Sequence, residues 1–189
     1  MPRRGPLPCF MEIHVWKALE LIGEYRRIGR KRLVEKLGVG EGSTRTILNK
    51  LKVKRLITSS KGGHSITKNG LKLLKTLPKY VRVDAGDLTV GKFDVAASVR
   101  EAARRVKSGV EQRDEAIKAG ADGATVLVFF KGKLRFPDSS VEAEGSVARR
   151  LIGALHPEEG DAVVIGSGRT IELAENGARC AARSLTMKP

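Results

Sequence analysis

Apolar residues recur at helical spacing through the first fifty positions of the chain. Met11, Val15, Ala18, Leu19 and Ile22 fall on one stripe, which predicts an amphipathic helix over about residues 9–25, with Phe10 and Trp16 off the stripe. Gly29 interrupts the pattern. Leu33, Val34 and Leu37 predict a second, shorter helix over residues 30–37, and Gly38-Val39-Gly40 ends it in a turn. A third helix is predicted from residues 41–43 to about residue 53, with Thr44, Ile47, Leu48 and Leu51 at the spacing of one buried face. Two segments rich in β-branched and small polar residues follow, 57–60 and 65–67, on either side of Lys61-Gly62-Gly63-His64. The glycine pair permits a tight reversal at positive φ, so this stretch reads as a β-hairpin with a basic tip. Asn69-Gly70 then opens a helix over residues 71–77, with Leu71, Leu74 and Leu77 on one face and Pro78 as its stop.

The second half alternates strand and helix signals. Residues 78–87 read as a linker. Phe93, Val95, Ala97 and Val99 alternate with Asp94, Ala96 and Ser98, which predicts a strand. Residues 102–119 read as helical, broken near Gly109 and ended by Gly120. The apolar run 125–130 reads as a buried strand, turned by Lys131-Gly132-Lys133 into residues 134–136 and closed by Pro137. Val147, Ala148, Leu151, Ile152 and Leu155 form a helical stripe. Residues 162–165 read as another buried strand, Gly166-Ser167-Gly168 as a loop, and Ile171, Ala174, Ala178, Ala181 and Leu185 as one face of a last helix. The pattern predicts two domains of α/β or α+β class: a winged helix-turn-helix over residues 1–80 and a small mixed α/β domain over residues 81–189.

Charge changes this picture. The chain carries +15, with an uneven distribution: residues 1–80 hold 19 Lys/Arg against 5 Asp/Glu, a net +14, and residues 81–189 hold 17 against 16, a net +1. A basic half joined to a balanced half points to a polyanion partner at one end. Two short helices across a glycine turn make a helix-turn-helix. On its third helix Thr46, Asn49 and Lys50 point away from the apolar stripe, with Arg45 and Lys52 on the flanks. Arginine suits guanine and asparagine suits adenine, while lysine serves phosphate or guanine. Arg30, Lys31 and Arg32 at the start of the second helix, Ser43 at the start of the third, and Lys61 and His64 on the hairpin complete the candidate contacts to double-stranded DNA. For an isolated helix a solvated polar face would explain the same residues. The charge split favours the polyanion.

The stretch from Ile28 through Leu51, the hairpin after it and Thr67-Lys68-Asn69-Gly70-Leu71 resemble archaeal winged-helix transcription regulators, which are broadly similar to bacterial winged-helix repressors. The resemblance covers about residues 10–78. It implies a transcription factor, commonly a homodimer, and gives no operator. The second half resembles an uncharacterised domain found behind archaeal winged helices, which supplies neither activity nor site residues.

Two places in the second half could hold a small polar or anionic effector. One is Gly166-Ser167-Gly168-Arg169-Thr170, where a glycine loop between a strand and a helix would leave backbone N–H groups free for an anion. The other is Arg113-Asp114. A tight turn with Thr170 or Ser167 as a helix cap, and a local Arg113–Asp114 pair, explain the same residues structurally. This half is therefore expected to sense a ligand, to dimerise, or both. No metal site or cofactor is expected: His14, His64 and His156 are isolated, and Cys9 and Cys180 make neither a C-x-x-C nor a disulfide framework. Common catalytic motifs are absent, so no enzyme is expected. The alternatives are a bifunctional enzyme regulated through its winged helix, as in some biotin protein ligases and archaeal riboflavin kinases, and a module that binds RNA or protein. Aromatic content of 4% argues against recognition of single strands by base stacking. Pro6 and Pro8 break any signal-peptide core, and the longest apolar run is 126–130, so a cytoplasmic protein without membrane contact is expected.

Overall fold

The computed structural model describes residues 8–137, 139 and 141–186, with side chains of the first helix from residue 12 onward; the readings at Phe10 and Met11 lie outside them. Contacts divide the chain into two units, Met1–Leu77 and Pro78–Pro189, three residues earlier than the expected boundary.

In the first unit most of the predicted stripe positions are buried, but Val34 is only half-buried, and Ile13, off the predicted stripe, is buried. Helix α1 (Pro8–Glu24) buries Val15, Ala18, Leu19 and Ile22, α2 (Arg30–Leu37) buries Leu33 and Leu37, and α3 (Glu41–Val53) buries Ile47, Leu48 and Leu51. These side chains close one core with Leu56 and Ile57, and Trp16 packs against it from the side. Gly38 stops α2 in the left-handed region (φ 65°), where its amide donates to the Val34 carbonyl at 3.0 Å. A side chain at that φ would be strained, so the turn between α2 and α3 favours glycine there. Thr44 is buried on α3 and donates its hydroxyl to the Gly40 carbonyl at 3.2 Å.

Strands β1 (Ile57–Ser60) and β2 (Gly63–Ile66) pair antiparallel with Ser60 opposite Gly63, so the reversal itself is Lys61-Gly62. His64 thus belongs to the strand and not to the tip. It pairs on its other side with Ile28: the Ile28 amide donates to the His64 carbonyl at 3.1 Å and the His64 amide to the Ile28 carbonyl at 2.9 Å. The wing is therefore anchored to the segment that enters α2. Gly63 sits at φ 122°, and a Cβ there would lie 2.6 Å from the Ile28 carbonyl oxygen. The last helix, α4, spans Lys68–Leu74, earlier than the predicted 71–77, because the Thr67 hydroxyl caps it by accepting the Gly70 amide at 3.0 Å. Its inward face is Gly70, Leu73 and Leu74; Leu71 is exposed, against the predicted stripe.

The second unit is a five-stranded sheet in the order β3-β4-β7-β5-β6, antiparallel throughout. Its strands are β3 (Val81–Val83), β4 (Phe93–Val99), β5 (Gly123–Phe130), β6 (Lys133–Arg135) and β7 (Ala162–Gly168). Helices α5 (Val110–Lys118) and α7 (Ile171–Thr186) cover one face and α6 (Gly145–Leu155) the other. Both faces are covered, so β4 is buried on both sides in spite of its alternating sequence. Buried Asp94 is partnered by the Ala85 amide, which donates to Oδ2 at 3.2 Å. Cys180 is buried on α7 and is not a free thiol.

Three expectations are corrected here. The supposed linker holds edge strand β3. Residues 102–109 form only a 3₁₀ turn, Ala103–Arg105, and Gly109 at φ 79° separates it from α5. Gly166, Ser167 and Gly168 are not a loop: they continue the central strand, opposite Val95, Asp94 and Phe93 of β4, with Gly166 and Ser167 also opposite Ala124 and Gly123 of β5. Glycines are used there because α7 crosses β7 so closely. A Cβ on Gly168 would lie 2.8 Å from the Ala174 amide nitrogen, and one on Gly166 would overlap the Ala174 carbonyl and the Ala178 amide. Among the described residues no helix is long and apolar enough to cross a membrane.

Candidate nucleic-acid interface

Arg45, Asn49 and Lys52 stand at i, i+4 and i+7 on α3, hence on one exposed face. The wing rises opposite that face, and the start of α2 closes a third side. Together they enclose a groove of about 310 Å³ with Leu48 in its floor, Arg30, Arg45, Asn49 and Lys52 on the helices, and Lys61 and His64 on the wing. No acidic residue lines it. Four full positive charges and one amide side chain therefore converge on a cleft walled by a helix and a β-ribbon. Cations that share a cleft and lack acidic neighbours lower the energy of any polyanion that enters.

His64 reports this field. Its Nδ1 shares a 2.7 Å hydrogen bond with the Ser59 hydroxyl. Its pKa is held below the ordinary imidazole value, first by burial and then by the positive charges of Lys52 and Arg30. In the unliganded protein the unfolded state thus takes up this proton first. The shift favours folding above the ordinary histidine pKa, and that contribution is lost as pH falls from there through the lowered pKa of the folded state.

Six of the predicted contacts meet in the groove: Arg30, Arg45, Asn49, Lys52, Lys61 and His64. Lys31, Arg32, Ser43, Thr46 and Lys50 do not line it. Arg32 lies over the Tyr25 ring at 4.6 Å, and Thr46 donates its hydroxyl to the Gly42 carbonyl at 3.1 Å on the neighbouring face of α3. The sequence reading missed Arg27, whose guanidinium flanks Gly62 at the wing tip. Its placement follows from the Ile28–His64 pairing, a single bridge too short to leave a periodic signal.

The candidate residues of the second unit form no anion cradle. The Gly166–Gly168 segment is buried in the sheet, and the Ser167 hydroxyl accepts the Gly91 amide at 2.6 Å. Thr170 caps α7, its hydroxyl accepting the Leu173 amide at 3.2 Å. Arg169 is exposed and pairs with Asp122 at 3.4 Å. Arg113 bonds its neighbour Asp114 through Nε at 3.3 Å and through the guanidinium end at 3.2 Å. Each finds a local partner, so backbone pairing and side-chain pairing consume the groups an anion would have used. Among the described residues there is no cluster of His, Cys, Asp and Glu that could hold a metal ion.

Comparison with known proteins gives family and fold. Residues 21–72 match the family described as PH0730-like, N-terminal domain, and residues 90–185 match a domain of unknown function, DUF4443. Among solved structures, the hypothetical protein PH0730 from Pyrococcus horikoshii OT3 is 33% identical, with the match covering 91% of this chain and 90% of that one at a TM-score of 0.67. No curated protein matches, and none of these names is that of an enzyme.

Proposed function

We propose, for a chain that belongs to the PH0730-like family with its DUF4443 domain, that the first unit binds duplex DNA and that the protein is a transcription regulator. The observation that carries the reading is the groove in which Arg30, Arg45, Lys52 and Lys61 converge around Asn49 with no acidic neighbour. Its dimensions come from α3 and the wing. Helix α3 enters the major groove, where Arg45 and Asn49 reach base edges, while Lys61 on the wing and Arg27 beside its tip hold phosphate. The protein works as a cytoplasmic homodimer on this reading, and the second unit, with its net +1, dimerises or senses an effector and adds little to phosphate attraction.

Two results test the assignment of roles. Arg45→Ala or Asn49→Ala should cost about 1–3 kcal/mol on the preferred site and relax its sequence preference, read by competition between duplexes. Lys61→Ala should weaken all sequences alike. If Lys61→Ala changed the preference and Asn49→Ala did not, the roles would be reversed.

The second result concerns pH. A phosphate beside His64 offsets the charges of Lys52 and Arg30, so its pKa rises on binding and the complex takes up a proton. Affinity is therefore expected to increase as pH falls from about 8 to about 6, and His64→Gln should flatten that dependence. A variant with an unchanged slope would remove His64 from the interface.

A further inference from the structure

A second groove lies wholly within the second unit, at the carboxyl end of β5. It has a volume of about 590 Å³ and is lined mainly by apolar side chains, among them Val106, Val128, Phe130 and Pro137, with Arg104 and Glu159 as its charged lining residues. That size is within the range of small-molecule sites. Phe130 is 45% exposed, a large aromatic surface left to solvent. Two cations stand over its ring, Lys131 at 5.3 Å and Arg135 at 5.5 Å. Arg135 is already paired with Glu142 at 2.9 Å, which leaves the Lys131 charge; exposed aromatic surface beside it is what a ligand with an apolar body and an anionic end would complete.

The charged groups narrow the choice. Glu159 holds the hairpin turn, accepting the Lys131 amide at 2.9 Å. Arg105 donates to the Leu185 carbonyl at 2.6 Å, tying the 3₁₀ turn to α7. Its neighbour Arg104 has no hydrogen-bond or ion-pair partner among the described residues and lines the groove. A cationic ligand would meet Arg104 and Lys131 together. A doubly charged phosphate would be opposed by Glu159 in the same groove, where a single carboxylate is opposed least. We propose that this groove binds a small amphiphilic monocarboxylate, its apolar body against Val106, Val128, Phe130 and Pro137 and its carboxylate on Arg104. The proposal is independent of the DNA reading and relocates the expected effector site away from Gly166–Thr170.

The test uses the full chain and three probes: octanoate, octanol, which keeps the chain without the charge, and acetate, which keeps the charge without the chain. Isothermal titration calorimetry should show saturable octanoate binding, octanol about tenfold weaker, and no acetate binding. Arg104→Met, at an exposed position, should bring octanoate down to the octanol level and leave octanol unchanged. Phe130→Ala should weaken both. Absence of octanoate binding to the wild type, equal binding of octanoate and octanol, or a preference retained in Arg104→Met would overturn the proposal. So would a dimer, seen by light scattering, that Phe130→Ala dissociates: the groove would then belong to a second copy of the chain.

Discussion

Gly166→Ala is expected to destabilise the second unit by about 3 kcal/mol or more, although it adds one methyl group. The new Cβ would overlap the Ala174 carbonyl and the Ala178 amide, both backbone atoms of α7. Neither can rotate away as a side-chain tip can, so the helix must lift from the strand. Lifting α7 opens the contact that buries Ala174, Ala178, Ala181, Ala182 and Leu185, the largest apolar face in this unit's helices. The thermal transition of the second unit should fall by roughly 10 °C or more. The control is the same chemical change at Gly153 of α6, where a Cβ meets nothing within 4 Å. Gly153→Ala should be neutral or stabilising by up to about 1 kcal/mol, since alanine is the better helix former. Equal effects of the two substitutions would mean that α7 does not cross β7 as described.

Gly166 also shows where the sequence misled. A Gly-Ser-Gly run after an apolar strand and before a helix has the composition of a loop, and a one-dimensional pattern cannot separate glycine used for a turn from glycine used for close approach. Only the neighbouring strands and α7 decide between the two. The alternation over 93–99 failed differently: it predicts one polar face, but the sheet is covered on both sides, so Asp94 is buried and needed the Ala85 amide as a partner. In the first unit the same reasoning succeeded for most of α1, α2 and α3, the exception on α2 being Val34, which is only half-buried. Their stripes face a single core, and Gly38 marks the turn at the φ only glycine adopts freely. The candidate groove was legible in part. Periodicity put Thr46, Asn49 and Lys50 at the centre of the outward face of α3 with Arg45 and Lys52 on its flanks, whereas the groove takes Arg45, Asn49 and Lys52, because only the Ile28–His64 pairing fixed where the wing stands, and with it Arg27.

The second large effect is on DNA affinity. If Arg27, Arg30, Lys52 and Lys61 each neutralise one phosphate, counterion release gives a log–log slope of binding against salt of about −3.6, so a fourfold rise in salt weakens binding about 150-fold. The second unit carries net +1 against the +14 of residues 1–80, so it should contribute little to that slope. The first unit has its own apolar core, and a fragment of residues 1–80 should keep the full salt dependence. Fluorescence anisotropy of the full chain and of this fragment with labelled duplex DNA, from about 50 to about 200 mM salt, is the most direct measurement. The account predicts binding by both, with the same steep slope. No binding, or an affinity that stays flat across that range, would contradict it.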